Sequence, residues 1–123
     1  MRKLVLILSI VILLAACGST TPPADDRTID HFFEAFEASF TLDDIFGDGE
    51  PTVDTPFYGM IGAVDGILFY VGGSPISIYR YADVAALERA QSNFDFTADW
   101  PTNGRFLLEA NNQDVIAFFE NIA

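Results

Sequence analysis

The residues that could do chemistry gather in two short stretches. Asp43, Asp44, Asp48, Glu50 and Asp54 crowd one glycine-containing segment, and Ca²⁺ takes oxygen ligands of this kind in flexible geometry. The spacing departs from the EF-hand loop. With Asp44 at the first position, Phe46 falls at the third and Thr55 at the twelfth. Asp44, Asp48, Glu50 and Asp54 stand as calcium candidates against the plainer reading of a solvated acidic loop. The second stretch, Asp95 to Trp100 (DFTADW), sets the chain's single tryptophan beside Asp95 and Asp99. An indole next to carboxylates grips sugars and cations by stacking and hydrogen bonding. Trp100, Asp95 and Asp99 are therefore ligand-binding candidates. The competing role for Trp100 is an anchor that tucks its loop onto the core.

Other chemistries lack their residues. Zinc requires three or four ligands rich in His and Cys, and the chain has one of each, His31 and Cys17. His31 falls on the polar side of a helical pattern, where a surface histidine is expected. Gly72-Gly73-Ser74 reads as a hairpin turn and not as the strand-to-helix elbow that exposes a nucleophilic serine. Gly59, Gly62 and Gly66 open no helix, so they form no phosphate cradle. The 18 acids offer many carboxylate pairs and none singled out for glycoside hydrolysis. No catalytic residue, firm metal site or cofactor is assigned.

The elements that would position these residues follow from periodicity. Ile29, Phe32, Phe33, Phe36 and Phe40 recur at helical spacing behind Thr28, a good N-cap. Thr41 to Gly47 reads as a short helical turn, and Asp48 to Pro56 as a loop. Phe57 to Val64 reads as a strand, Asp65-Gly66 as a hairpin turn, and Ile67 to Val71 as the returning strand. Gly72 to Pro75 turns the chain into a third strand, Ile76 to Tyr81. Asp83 caps a helix carrying Val84, Leu87 and Ala90, and a loop spans Asn93 to Asn103. A strand over Arg105 to Glu109 follows. The last helix is capped at Asn111 and shows Val115, Ile116, Phe119 and Ile122 on one face. The order α-β-β-β-α-β-α implies a small α+β domain of two layers, a mostly antiparallel sheet with helices on one face. That domain is expected over residues 29–123.

Ahead of it the chain changes character. Met1-Arg2-Lys3 is basic, Leu4 to Ala16 is apolar but for Ser9, and Leu14-Ala15-Ala16-Cys17 leads into Gly18-Ser19. The apolar run is short for a membrane span, which needs about 20 apolar residues, and suits a signal peptide. The segment resembles the lipobox of bacterial lipoproteins. There a peptidase cleaves before the cysteine and the thiol carries a diacylglycerol. The resemblance implies a cleaved signal over residues 1–16, lipidation of Cys17 with its palmitate-type chains, and a place on the extracytoplasmic face of a bacterial membrane. Two acyl chains anchor stably where one does not. Residues 17–28 (CGSTTPPADDRT) would then be a flexible tether.

Cleavage would leave 107 residues, one domain's worth. They hold four arginines and no lysine against all 18 acids, a balance of −14. Such a surface repels nucleic acid and anionic headgroups. With no catalytic constellation, the sequence points to a non-enzymatic module that binds a protein or envelope component. The alternative is a small solute-binding component or an enzyme with an unrecognised site.

Overall fold

The computed structural model describes residues 25–123. The lipobox, the signal and most of the tether lie outside them. The described chain forms α1 (Ile29–Ser39), β1 (Asp65–Val71), β2 (Ser74–Arg80), α2 (Val84–Asn93), β3 (Thr102–Asn103), β4 (Phe106–Glu109) and α3 (Gln113–Glu120). Three helices thus accompany a four-stranded antiparallel sheet of order β1-β2-β4-β3, the α+β class expected from the pattern.

Each helix starts where a side chain satisfies otherwise orphaned backbone amides. Thr28 accepts from the His31 amide, Asp83 from Ala86, and Asn112 from Asp114 and Val115. The last cap is thus Asn112, one residue beyond Asn111. The β1–β2 hairpin turns at Gly72-Gly73, both at positive φ (60° and 81°), the backbone that a two-residue turn between twisted strands demands.

Strand alternation sorts the core into two clusters. Ile67, Phe69, Ile76, Ile78, Phe106 and Leu108 face α1 and α3, which bring Phe32, Phe36, Val115 and Phe119 onto them. On the opposite face, Tyr79, Tyr81 and Leu107 are covered at one end by Leu87 and Ala90 of α2 and by Ile61 and Ala63. The helices therefore do not all share one face, as the two-layer reading had it. Tyr79 and Leu107 give the second face apolar area of its own, and α2 is drawn there.

Three local expectations are corrected. Tyr58–Ile61 is a 3₁₀ turn ended by Gly62 at φ 76°, so Phe57 to Val64 is not a strand. Asp65-Gly66 opens β1 instead of forming a turn. The residue types suited a strand, but Phe57 and Met60 are left 86% and 73% exposed and the edge of β1 is taken elsewhere. Asp54 exchanges both backbone hydrogen bonds with Leu68 and blunts that edge. Thr41 to Gly47 likewise forms no helical turn, because Asp44 binds its own loop. Finally, Asn103 belongs to a strand. Asn103-Gly104-Arg105 makes a tight β3–β4 hairpin with Gly104 at φ 59°, a turn that the Asn-Gly pair itself signals.

The end of the tether is fastened down. Arg27 reaches Asp25 through Nε and Nη2 (both 2.9 Å), Asn103 Oδ1 through Nη2 (2.9 Å) and the Ile122 carbonyl through Nη1 (3.3 Å). Its guanidinium also sits 4.9 Å from the Phe32 ring centre. Ordered structure therefore includes Asp25 to Thr28, four residues assigned to the tether from composition. Asp25, held by the Arg27 guanidinium, has its pKa lowered from 3.8 to about 2.

Candidate functional site

The Asp95–Trp100 stretch becomes a 3₁₀ turn (Asp95–Thr97) that lays Trp100 on the second face of the sheet. The loop is held from within. The buried Thr97 hydroxyl donates to the Phe94 carbonyl (2.7 Å), and Gln91 Nε2 donates to the Thr97 carbonyl (3.0 Å). Leu108 N donates to the Pro101 carbonyl (2.9 Å) and so ties the loop to β4.

Trp100 is partly buried, anchoring its loop on the second core cluster while part of its ring faces an open depression. One side contacts Tyr79, the two rings nearly parallel at 19° with centres 6.3 Å apart. Phe96, 63% exposed, stands edge-on to the indole at 5.6 Å. The Tyr79 hydroxyl donates to Glu109 Oε1 across neighbouring strands (2.7 Å). Burial, reinforced by that carboxylate, raises the phenol's pKa far above its usual value. Tyr79 is thus a neutral, oriented ring at any physiological pH. Beside it lies an open depression of about 370 Å³ lined by Trp100, Glu109, Ser77, Pro75 and Asn111. The arrangement is a partly exposed indole, backed by buried Tyr79 and bordered by hydrogen-bonding groups.

The partner carboxylate differs from the one expected. Asp95 and Asp99 are exposed on the loop and do not line the depression; Glu109 does. Tyr79 and Glu109 escaped the sequence reading because their meeting depends on β2 pairing with β4, strands about 30 residues apart. The only legible signal was strand alternation, which places Ser77, Tyr79, Leu107 and Glu109 on one face once the pairing is known.

The acidic segment does something other than converge. Asp44 accepts from the amides of Gly47 (2.7 Å), Asp48 (3.2 Å) and Gly49 (2.8 Å), and these bonds hold its carboxyl below the usual range. Asp48 accepts from Glu50 N (3.1 Å) and Asp54 from Thr55 N (2.7 Å), while Asp43 reaches Gly73 N in the β1–β2 turn (2.6 Å). The calcium candidates Asp44, Asp48 and Asp54 thus shape their own loop, and Glu50 lies exposed in it. Among the described residues no three His, Cys, Asp or Glu side chains gather around one point. His31 is exposed on α1, its Nε2 2.7 Å from the Ala123 carbonyl oxygen. No helix among the described residues is long and apolar enough to cross a membrane.

The chain matches no protein-family profile, no curated protein and no solved structure. Its functional reading therefore stands on the residues themselves.

Proposed function

We propose that this chain is a lipid-anchored extracytoplasmic binding module. Cys17 holds it on a bacterial membrane, and the Trp100 platform, backed by buried Tyr79, docks a glycan component of the envelope without catalysing a reaction. The observation that carries the reading is the platform itself. The partly exposed Trp100 ring borders an open depression, backed by the buried Tyr79 ring and with the Glu109 carboxylate in the same lining. Sugar rings present a flat C–H face to stack on and hydroxyls at the rim to hydrogen-bond. The lipobox resemblance supplies the location. The acidic body supports a standing-off position, since like charge keeps it from lying on anionic headgroups.

The test has two arms. Cells expressing the full chain are labelled with a palmitate analogue, and detergent extracts are passed over purified cell-wall glycan. Wild type should be labelled and retained. Cys17→Ser should be retained but unlabelled, and should run as a precursor about 16 residues longer. Trp100→Ala should be labelled but not retained. A wild-type chain that stays unlabelled in a host with active lipoprotein processing defeats the anchor. Retention unchanged by Trp100→Ala defeats the platform.

A further inference from the structure

Positive side chains are few in this protein, and most of those past Cys17 collect at one place. Past Cys17 there are four arginines, and three of them, Arg27, Arg80 and Arg105, line a single open cleft of about 590 Å³. The cleft lies at the end of the sheet where β1 begins, β2 ends and the chain enters β4. It is walled by the first turn of α1 and by the segment around Asp54. This is the face opposite the Trp100 platform, because Asp65 and Arg80 alternate in phase with Ile67 and Ile78 of the first core cluster.

The three arginines differ in how fully they are engaged. Arg27 is bound to Asp25, Asn103 and the Ile122 carbonyl. Arg105 donates Nη1 to the Tyr81 and Ala82 carbonyls (3.3 Å each) and Nη2 to the Arg27 carbonyl (3.1 Å). Its Nε is buried and has no acceptor among the described residues. Among the described residues Arg80 pairs only with Asp65, with Nη2 3.8 Å from Oδ2, too long for a hydrogen bond. Its planar fork of donors suits a carboxylate.

Asp30, Asp54 and Asp65 line the same cleft. Arg27 is already paired with Asp25, so Arg80 and Arg105 face Asp30, Asp54 and Asp65, a wall of mixed charge in a chain of net charge −12. A dianion would gain the arginines but meet three like charges. A ligand carrying one carboxylate and one ammonium meets complementary charge at both ends.

We propose that this cleft is a binding site for a small zwitterion, a free amino acid or short unblocked peptide. Its carboxylate is held by Arg80, with Arg105 contributing positive charge behind it, and its ammonium by the carboxylates around Asp65. The volume lies within the range of small-molecule pockets. The site is independent of the glycan platform in position and in chemistry.

Calorimetric titration of the full-length chain in mild detergent tests it. The probes are glycylglycine, N-acetylglycylglycine, glycylglycinamide and inorganic phosphate. Glycylglycine should bind once per chain, and each of the other three at least tenfold more weakly. Arg80→Gln should weaken glycylglycine at least tenfold, whereas Trp100→Ala should leave it unchanged. Asp65→Asn provides a second handle should Arg80→Gln fold poorly. It should bring the unblocked and N-acetylated probes to within about threefold of each other, by removing the ammonium's partner. Absence of glycylglycine binding overturns the proposal. So does phosphate or the N-acetylated probe binding as tightly as glycylglycine, which would mark a plain anion site. Binding indifferent to both Arg80→Gln and Asp65→Asn overturns it as well.

Discussion

The two faces of the sheet are filled by different kinds of ring. Against α1 and α3 the rings are phenylalanines: Phe32, Phe36, Phe69, Phe106 and Phe119 are all fully buried and interlocked, with centres as close as 4.2 Å. On the other face they include Tyr79, Tyr81 and Trp100, each with a polar handle, with Phe94 packed at the margin. Tyr81 sends its hydroxyl to the Ile61 carbonyl (2.9 Å) and is wholly buried; burial pushes its phenol up to about 12. Trp100 lies toward the less covered end, over the buried Tyr79 ring. The contrast has a physical basis. A closed layer leaves nothing for a hydroxyl to bond, so plain hydrocarbon rings fill it. A half-open layer can hold rings whose edges reach a partner or water. With a single cysteine the chain has no internal disulfide, so the phenylalanine face must supply most of the stability. The other face is left partly open to solvent around Trp100.

The largest test of this division removes a ring from the closed face. Phe36 contacts Phe40, Phe69 and Phe118, and Phe36→Ala should cost ~3–5 kcal/mol in denaturant unfolding. A loss below about 1 kcal/mol, typical of exposed sites, would mean that the closed face does not carry the fold.

Next in size is the fastening at the end of that face. Gly104 has φ 59°, and an added Cβ would lie 2.7 Å from Arg27 Nη2 and closer still to the Asp25 carboxylate. Gly104→Ala should therefore cost about 2–3 kcal/mol, combining left-handed strain with displacement of the Asp25–Arg27 pair. A melting temperature unchanged by the substitution would detach residues 25–27 from the stability of the domain.

A smaller effect belongs to pH. Asp25 is charged in the fold down to about pH 2, against an ordinary value of 3.8. Because the folded value is depressed, the stabilisation is complete above about pH 4 and disappears as pH falls through about 2. The half-shielded setting limits it to about 1 kcal/mol. Asp25→Asn should flatten the stability curve across that window, and an acid limb identical to wild type would remove the pair from the account.

The smallest effect is expected on the open face. Phe96→Ser should change stability by no more than about 0.5 kcal/mol, because most of its surface already meets water. It should nonetheless blue- or red-shift the emission of the only tryptophan, whose indole its edge touches. A stability loss comparable to that of Phe36→Ala would erase the distinction between the faces.

Local signals carried far in this chain. Three helices with their caps at Thr28 and Asp83, the Gly72-Gly73 turn and the phenylalanine stripe of α1 were legible because each depends on residues a few positions apart. Phe57 to Val64 misled for the complementary reason. Its composition fits a strand, but whether a strand forms depends on an edge to pair with, and Asp54 holds that edge. The Asn103-Gly104 turn was readable yet small, because β3 has only two residues and no periodicity to announce it.

The sites divide along the same line. Sequence alone determined that Trp100 sits in a loop, that the acidic residues crowd Asp43 to Asp54, and that cations are scarce. Only the tertiary structure decided that Tyr79 and Glu109 meet beside Trp100, that the acidic loop binds its own amides, and that three of the four arginines past Cys17 share one cleft. Strand pairing brings together side chains tens of residues apart. It is selected by the fit of whole hydrophobic faces and not by the polar residues it juxtaposes.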